Sequence, residues 1–131
     1  MRRPLLASKG AKVVLGARRA DKLMQIVDEI EKDGGEAAFQ ELDVTNASEN
    51  DAIVKFAKER FGCVDVIFLN AGIMPTSPLS ALKTDEWNQT VDVNVKGVLN
   101  GVAAVLPTFI EQKLGRVIAT SSVAGLKPSL R

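Results

Sequence analysis

The residues of this chain best suited to meet a ligand stand at the ends of its apolar runs. Val64-Asp65-Val66-Ile67-Phe68-Leu69 stops abruptly in Asn70-Ala71-Gly72. A short apolar run bounded by turn residues reads as a strand buried on both faces, as in a parallel sheet. Ligands of such sheets bind just beyond the carboxyl ends of the strands. Gly72 lets a backbone approach a ligand closely and Ala71 adds almost no bulk, although the same triplet suits an ordinary turn. Similar positions hold Arg18-Arg19 after Gly16-Ala17, Asp43-Val44-Thr45 after a run at 36–42, and Ser121-Ser122 after a run at 115–120. Asn94 is a polar break in an apolar helical stretch. Each has a plain structural reading: solvated arginines, a helix-capping carboxylate, a turn serine, an asparagine satisfied by nearby backbone. The chain has no His, which excludes a His-based triad and a His metal site within it, and it has no Tyr.

The elements that position these residues alternate. Leu5 to Gly10 reads as the last turns of a helix stopped by Gly10, and Lys12 to Ala17 as a buried strand. Ala20 to Lys32 reads as a helix with Leu23, Ile26, Val27 and Ile30 on one stripe. Glu36 to Leu42 is a second, less apolar strand suited to a sheet edge. Thr45 or Asn46 caps the next helix, whose stripe is Ile53, Phe56, Ala57 and Phe61, ending at Gly62. The strand at 64–69 follows, then a loop rich in Pro, Ser and Thr. A long apolar helix from Trp87 to Gln112 comes next, with Pro107 expected to weaken or kink it. Gly115 to Thr120 is a last buried strand. Strands alternating with helices imply right-handed crossovers and one parallel sheet covered on both faces.

The totals bound the class. The chain has 131 residues, about one domain, with 46% hydrophobic and 25% charged residues and a net charge of +1. Mixed charge gives no sign of a nucleic-acid groove or a membrane patch. No apolar run is read as reaching transmembrane length, and the start is not a convincing signal peptide. The lone Cys63 cannot form an internal disulfide, and the cytoplasm is the expected location.

Read together, Ala17-Arg18-Arg19, Asp43-Val44, Asn70-Ala71-Gly72, Asn94-Val95-Lys96-Gly97 and Ser121-Ser122-Val123-Ala124-Gly125 occur in the order of the short-chain dehydrogenase/reductase family, which the chain resembles from about Leu5 to Lys127. The resemblance implies a Rossmann-like doubly wound parallel α/β sheet and residues 1–131 as a partial NAD(P)-binding domain. It implies that Asp43 bonds the adenine ring, that Val44 belongs to that pocket, and that Asn70, Ala71 and Gly72 line the cofactor cleft. It implies Asn94 as the catalytic Asn of a proton relay and Ser122 as the catalytic Ser that holds the substrate oxygen. No metal is implied. No acid follows Gly16-Ala17, and a guanidinium at Arg18 suits a ribose 2′-phosphate, so NADP is expected over NAD.

Two family features are absent from these residues: the Gly-rich turn after the family's first strand, and the Tyr-x-x-x-Lys pair that supplies the general acid/base. Lys96 and Lys127 match neither role. The sequence is therefore read as a central fragment of an NADP-dependent oxidoreductase acting on a small alcohol or carbonyl substrate, from a parent that is a homo-oligomer. The chain alone is expected to be inactive and marginally stable. A non-catalytic binding or interaction module descended from the family is the alternative. In the family the first strand lies between the strands at 12–17 and 64–69. Those two strands are expected either to keep unpaired edges or to pair directly.

Overall fold

The computed structural model describes residues 5–122. A short 3-10 turn at Ala7–Lys9 is closed by Gly10, whose φ of 86° lies in the left-handed region that glycine adopts at no steric cost. Strand β1 (Val13–Ala17) leads into helix α1 (Ala20–Lys32), strand β2 (Ala37–Glu41) and helix α2 (Ala47–Phe61). Strand β3 (Val66–Leu69) follows, then helix α3 (Thr84–Val91), a π-helical turn at Asp92–Lys96, helix α4 (Gly97–Gln112) and strand β4 (Arg116–Ala119).

Local chemistry explains several boundaries. The Asn46 side chain accepts hydrogen bonds from the backbone N–H of Ser48 and Glu49, fixing the start of α2. Gly62 ends α2 with a φ of 88°. On α1, Leu23, Val27 and Ile30 are buried, whereas Ile26 is left partly in solvent at the edge of the stripe. On α2 the buried positions are Asn50 and Val54, and the expected stripe of Ile53, Phe56, Ala57 and Phe61 is half-buried. Pro107 sits inside a continuous α4, and the regular ladder is interrupted instead at the π-turn around Asn94.

The strands pair in parallel, β1 with β2 and β3 with β4, as two two-stranded sheets. Of the two outcomes expected for the strands at 12–17 and 64–69, the structure shows the first: β1 and β3 do not pair, so each keeps an open edge. The structure corrects the expectation of strands buried on both faces. Phe68 is 57% exposed and Ile118 is 49% exposed. Ile67 and Leu69 face Gly101 of α4. Alternation along the strand sends Val66 and Phe68 to the opposite face, which no described helix covers.

Two apolar clusters hold the halves. Ala7, Val27, Ile30 and Ala37 pack with Val13, Leu15 and Phe39 on one face of β1–β2. Val54, Val105 and Phe109 join α2 to α4 over Val64 and Ile67. Helix α2 reaches both halves, because Ile53 also lies against Gly16 of β1. Val13 and Leu15 point to the α1 side and Gly16 to the α2 side, so helices flank both faces of this sheet.

The helical stretch Thr84–Gln112 spans 29 residues and is long and apolar enough to cross a membrane, contrary to the sequence expectation. One side of it packs as a core helix does, with Val105 0% exposed and Gly97, Gly101, Thr108 and Phe109 buried, whereas Val95, Leu99, Leu106 and Ile110 on its other side are exposed. Two carboxamides align it with β3. Gln112 receives the N–H of Val64 at 3.2 Å and donates to its carbonyl at 2.8 Å. Asn94 makes the same double contact with Ile73, just beyond the strand's other end.

Candidate functional site

The candidate residues gather beyond the carboxyl ends of the strands, in two groups. The first lies past β1 and β2. Ala17 is in register with Glu41, and the N–H of Leu42 donates to the carbonyl of Ala17 at 3.0 Å. That pairing carries Arg18 and Asp43 out on the same side. Asp43 Oδ1 accepts from the backbone N–H of Thr45 at 2.9 Å and from its hydroxyl at 2.7 Å. These two bonds, with a smaller contribution from the Arg18 charge, outweigh partial burial and hold the Asp43 carboxyl below the usual aspartate range. Asp43 thus builds a turn, while the cap of α2 is Asn46. Arg18 is exposed and forms no salt bridge among the described residues.

Val44 connects this group to the helix that carries Asn94. Its carbonyl accepts from Asn50 Nδ2 at 3.1 Å and from Asn100 Nδ2 at 2.9 Å. Its side chain lies so close to Gly97 that a Cβ there would stand 2.7 Å from Val44 Cγ2. Asn50 is 4% exposed, so its amide must find partners, and the carbonyls of Val44 and Asn46 supply them.

The second group lies past β3 and β4. The Thr120 hydroxyl donates to Asn70 Oδ1 at 2.7 Å, and the Thr120 N–H donates to the Leu69 carbonyl at 3.0 Å. Those bonds place Ser121 and Ser122 just past the pair of strand ends; both are exposed. Ala71 and Gly72 are exposed as well, and a Cβ at Gly72 would lie 3.5 Å from Asn94 Oδ1. Asn94 accepts the N–H of Ile73 at 2.8 Å and donates to the Ile73 carbonyl at 2.8 Å. A carboxamide has two donors and two lone pairs, so one hydrogen and one lone pair remain for a further partner. The π-turn that displays Asn94 is the helix form that recurs at functional sites. Lys96 is paired with Asp92 at 2.7 Å within that turn.

The structure therefore brings together Arg18 with Asp43, Val44 with the start of α4, Gly72 with Asn94, and Asn70 with the strand end before Ser122. Val123, Ala124, Gly125 and Lys127 of the sequence pattern lie outside the described residues. Sequence reasoning missed Thr120, Ile73, Asn50 and the tie from Asn100 to Val44. Of these only Asn100, a polar residue in an apolar helix, carried a visible signal.

Parallel strands, crossover helices and polar residues beyond the carboxyl ends define a Rossmann-type α/β domain. The description of the short chain dehydrogenase family matches residues 4–131. The chain belongs to the short-chain dehydrogenase/reductase family. It is 65% identical over 123 residues to an uncharacterised oxidoreductase of Listeria monocytogenes, covering 94% of this chain and 50% of that protein. An uncharacterised oxidoreductase of Staphylococcus saprophyticus is 48% identical over 121 residues, with 92% and 48% covered. Among solved structures, an alcohol dehydrogenase of Thermococcus sibiricus complexed with 5-hydroxy-NADP superimposes with a TM-score of 0.86 and 32% identity, covering 95% of this chain and 53% of that one. A short-chain dehydrogenase/reductase of Burkholderia phymatum in complex with NAD gives 0.89 and 33%, covering 94% and 44%. The chain spans about half the length of the curated relatives it matches.

Proposed function

We propose that this chain is the central part of an NADP-dependent short-chain oxidoreductase that acts on a small alcohol or carbonyl substrate. The observation that carries the reading is the joining of Asn94 to Ile73 at the π-turn, beside Gly72 and beyond the same strand pair that presents Ser122. When bound, the nicotinamide supplies or takes up the hydride. The Ser122 hydroxyl holds the substrate oxygen and steadies its charge. Asn94, with one donor and one acceptor position left, holds a water for proton relay. Ala71 and Gly72 keep the cleft clear of side chains. Asp43, held ionised by Thr45, accepts from the adenine amino group, with Val44 beside it. The exposed Arg18 offers a guanidinium to the 2′-phosphate, which favours NADP over NAD. Neighbouring structures carry ligands of both kinds, so a nicotinamide dinucleotide in general is supported by likeness and its phosphate by Arg18.

No Tyr is among the 131 residues, so the family's proton donor is not within them and the chain by itself is expected to turn nothing over. The test is a chimera in which this chain replaces the matching half of the Listeria monocytogenes relative. The expected result is NADPH-dependent reduction of small carbonyl compounds. Ser122→Ala lowers kcat about a hundredfold or more while the KM for NADPH holds. Unchanged turnover in Ser122→Ala overturns the assignment.

A further inference from the structure

The loop that leaves β3 is fastened at two points. At its start Ile73 is held by Asn94 through a donated and an accepted hydrogen bond, both 2.8 Å. Near its end the Ser77 hydroxyl donates to Glu86 Oε2 at 2.9 Å, and Lys83 Nζ holds Glu86 Oε1 at 2.9 Å. Between the fastenings, Met74 and Pro75 border a cavity of about 370 Å³ that reaches Trp87, Thr90 and Asn94. That volume is at the small end of the range for ligand pockets, about 300–1,000 Å³.

The lining decides what can enter. Ile73, Pro75 and Trp87 supply apolar surface, and Trp87 is 40% exposed. Most polar groups at the wall already answer one another: the Thr90 hydroxyl donates to the Glu86 carbonyl at 2.7 Å and Ser77 to the Glu86 carboxylate, while Asn94, tied to Ile73, keeps one N–H and one lone pair at the cavity edge. Among the described lining residues the one that carries a charge is Glu86; Lys83 meets its carboxylate from outside that lining. An anion entering this space would meet a carboxylate and, among the described residues, no lining cation, after losing its own water. An uncharged ring or short alkyl group would meet apolar surface and break no existing bond.

We infer that this cavity is the specificity pocket for the part of the substrate away from the reacting oxygen. It takes a compact uncharged ring or alkyl group, and Glu86 both fixes the loop through Ser77 and rejects carboxylate-bearing competitors. The role in substrate choice rests on the oxidoreductase reading above; the binding preference does not.

The experiment uses the ¹⁵N-labelled chain, titrated separately with benzyl alcohol and with benzoate, two probes of one ring size and different charge. Benzyl alcohol is expected to move the Trp87 indole N–H and the Ser77 and Thr90 amides along saturable curves. Benzoate is expected to bind about tenfold more weakly. Glu86→Gln keeps an acceptor for Ser77 and removes the charge, so it brings the two affinities to within about twofold of each other. Ser77→Ala weakens benzyl alcohol binding yet keeps the preference over benzoate. The β3 and β4 amides in the same spectra report whether each variant is folded.

The inference is overturned if benzyl alcohol moves no cavity residue, if benzoate binds equally well, or if Glu86→Gln weakens both probes in parallel, as a purely structural Glu86 would. An inactive chimera with intact probe binding would remove the oxidoreductase reading and leave the pocket. An active chimera with no probe binding would do the reverse.

Discussion

Gly97→Ala separates the packing described here from ordinary helix behaviour. Gly97 has helical dihedrals, φ −58° and ψ −40°, and begins α4 directly after the π-turn. At an unhindered helical site the added methyl would stabilise by about 1 kcal/mol. Here the new Cβ would stand 2.7 Å from Val44 Cγ2 and 3.1 Å from Val44 Cβ. Val44 cannot swing away cheaply, because its side chain is β-branched and its carbonyl is held by both Asn50 and Asn100. Overpacking of this kind costs about 1–3 kcal/mol, so the net expectation is a destabilisation of about 1 kcal/mol, reversed in sign from the helix-propensity value. Urea unfolding followed by circular dichroism reads the difference. The double variant with Val44→Ala should recover most of the loss, with a coupling of about 1–2 kcal/mol. A stabilised Gly97→Ala protein, or additive behaviour in the cycle, would refute the claim that Val44 and the start of α4 are in forced contact.

Other outcomes follow from single contacts. Asn46→Ala removes the cap of α2 and should cost about 1 kcal/mol in the same unfolding assay. Asn94→Ala leaves the Ile73 N–H to solvent, and its hydrogen exchange should speed up by about tenfold, the equivalent of one lost hydrogen bond. Because the folded carboxyl of Asp43 is held below its ordinary range, its contribution to stability is complete above that range. It is lost as pH falls through the depressed folded value. Thr45→Ala should move the Asp43 titration, followed by carboxyl NMR, up toward the ordinary aspartate value and shrink that acid-side loss.

Periodicity and caps carried much of the fold. Helix α1 was legible to both ends, since Leu23, Val27 and Ile30 recur at helical spacing and Gly34-Gly35 follows. The cap of α2 was legible as Thr45 or Asn46, both of types that suit that position, and the structure puts it on Asn46. The strands were legible as strands, but their burial was not. An apolar run such as Val66–Leu69 shows what a segment can tolerate on both faces and does not show whether both faces have a partner. The family resemblance reduced the pairing of β1 and β3 to two outcomes, and local sequence could not choose between them, because edge pairing is a property of two distant segments. At the site, the positions Arg18, Asp43, Asn70 and Ser122 stood out as strand-end polar residues. What fixes them did not. The π-turn at Asn94 depends on Ile73, 21 residues earlier, and the Asn70 contact depends on Thr120, 50 residues later. Neither spacing has a periodic signature.

The central claim is an NADP-dependent hydride-transfer site whose cofactor choice is made by Arg18. The most direct measurement is kcat/KM of the chimera for NADPH and for NADH, repeated with Arg18→Ala. The account predicts a preference for NADPH that falls about tenfold or more in Arg18→Ala, with NADH turnover nearly unchanged. A preference for NADH, or an NADPH preference that Arg18→Ala leaves intact, would contradict it.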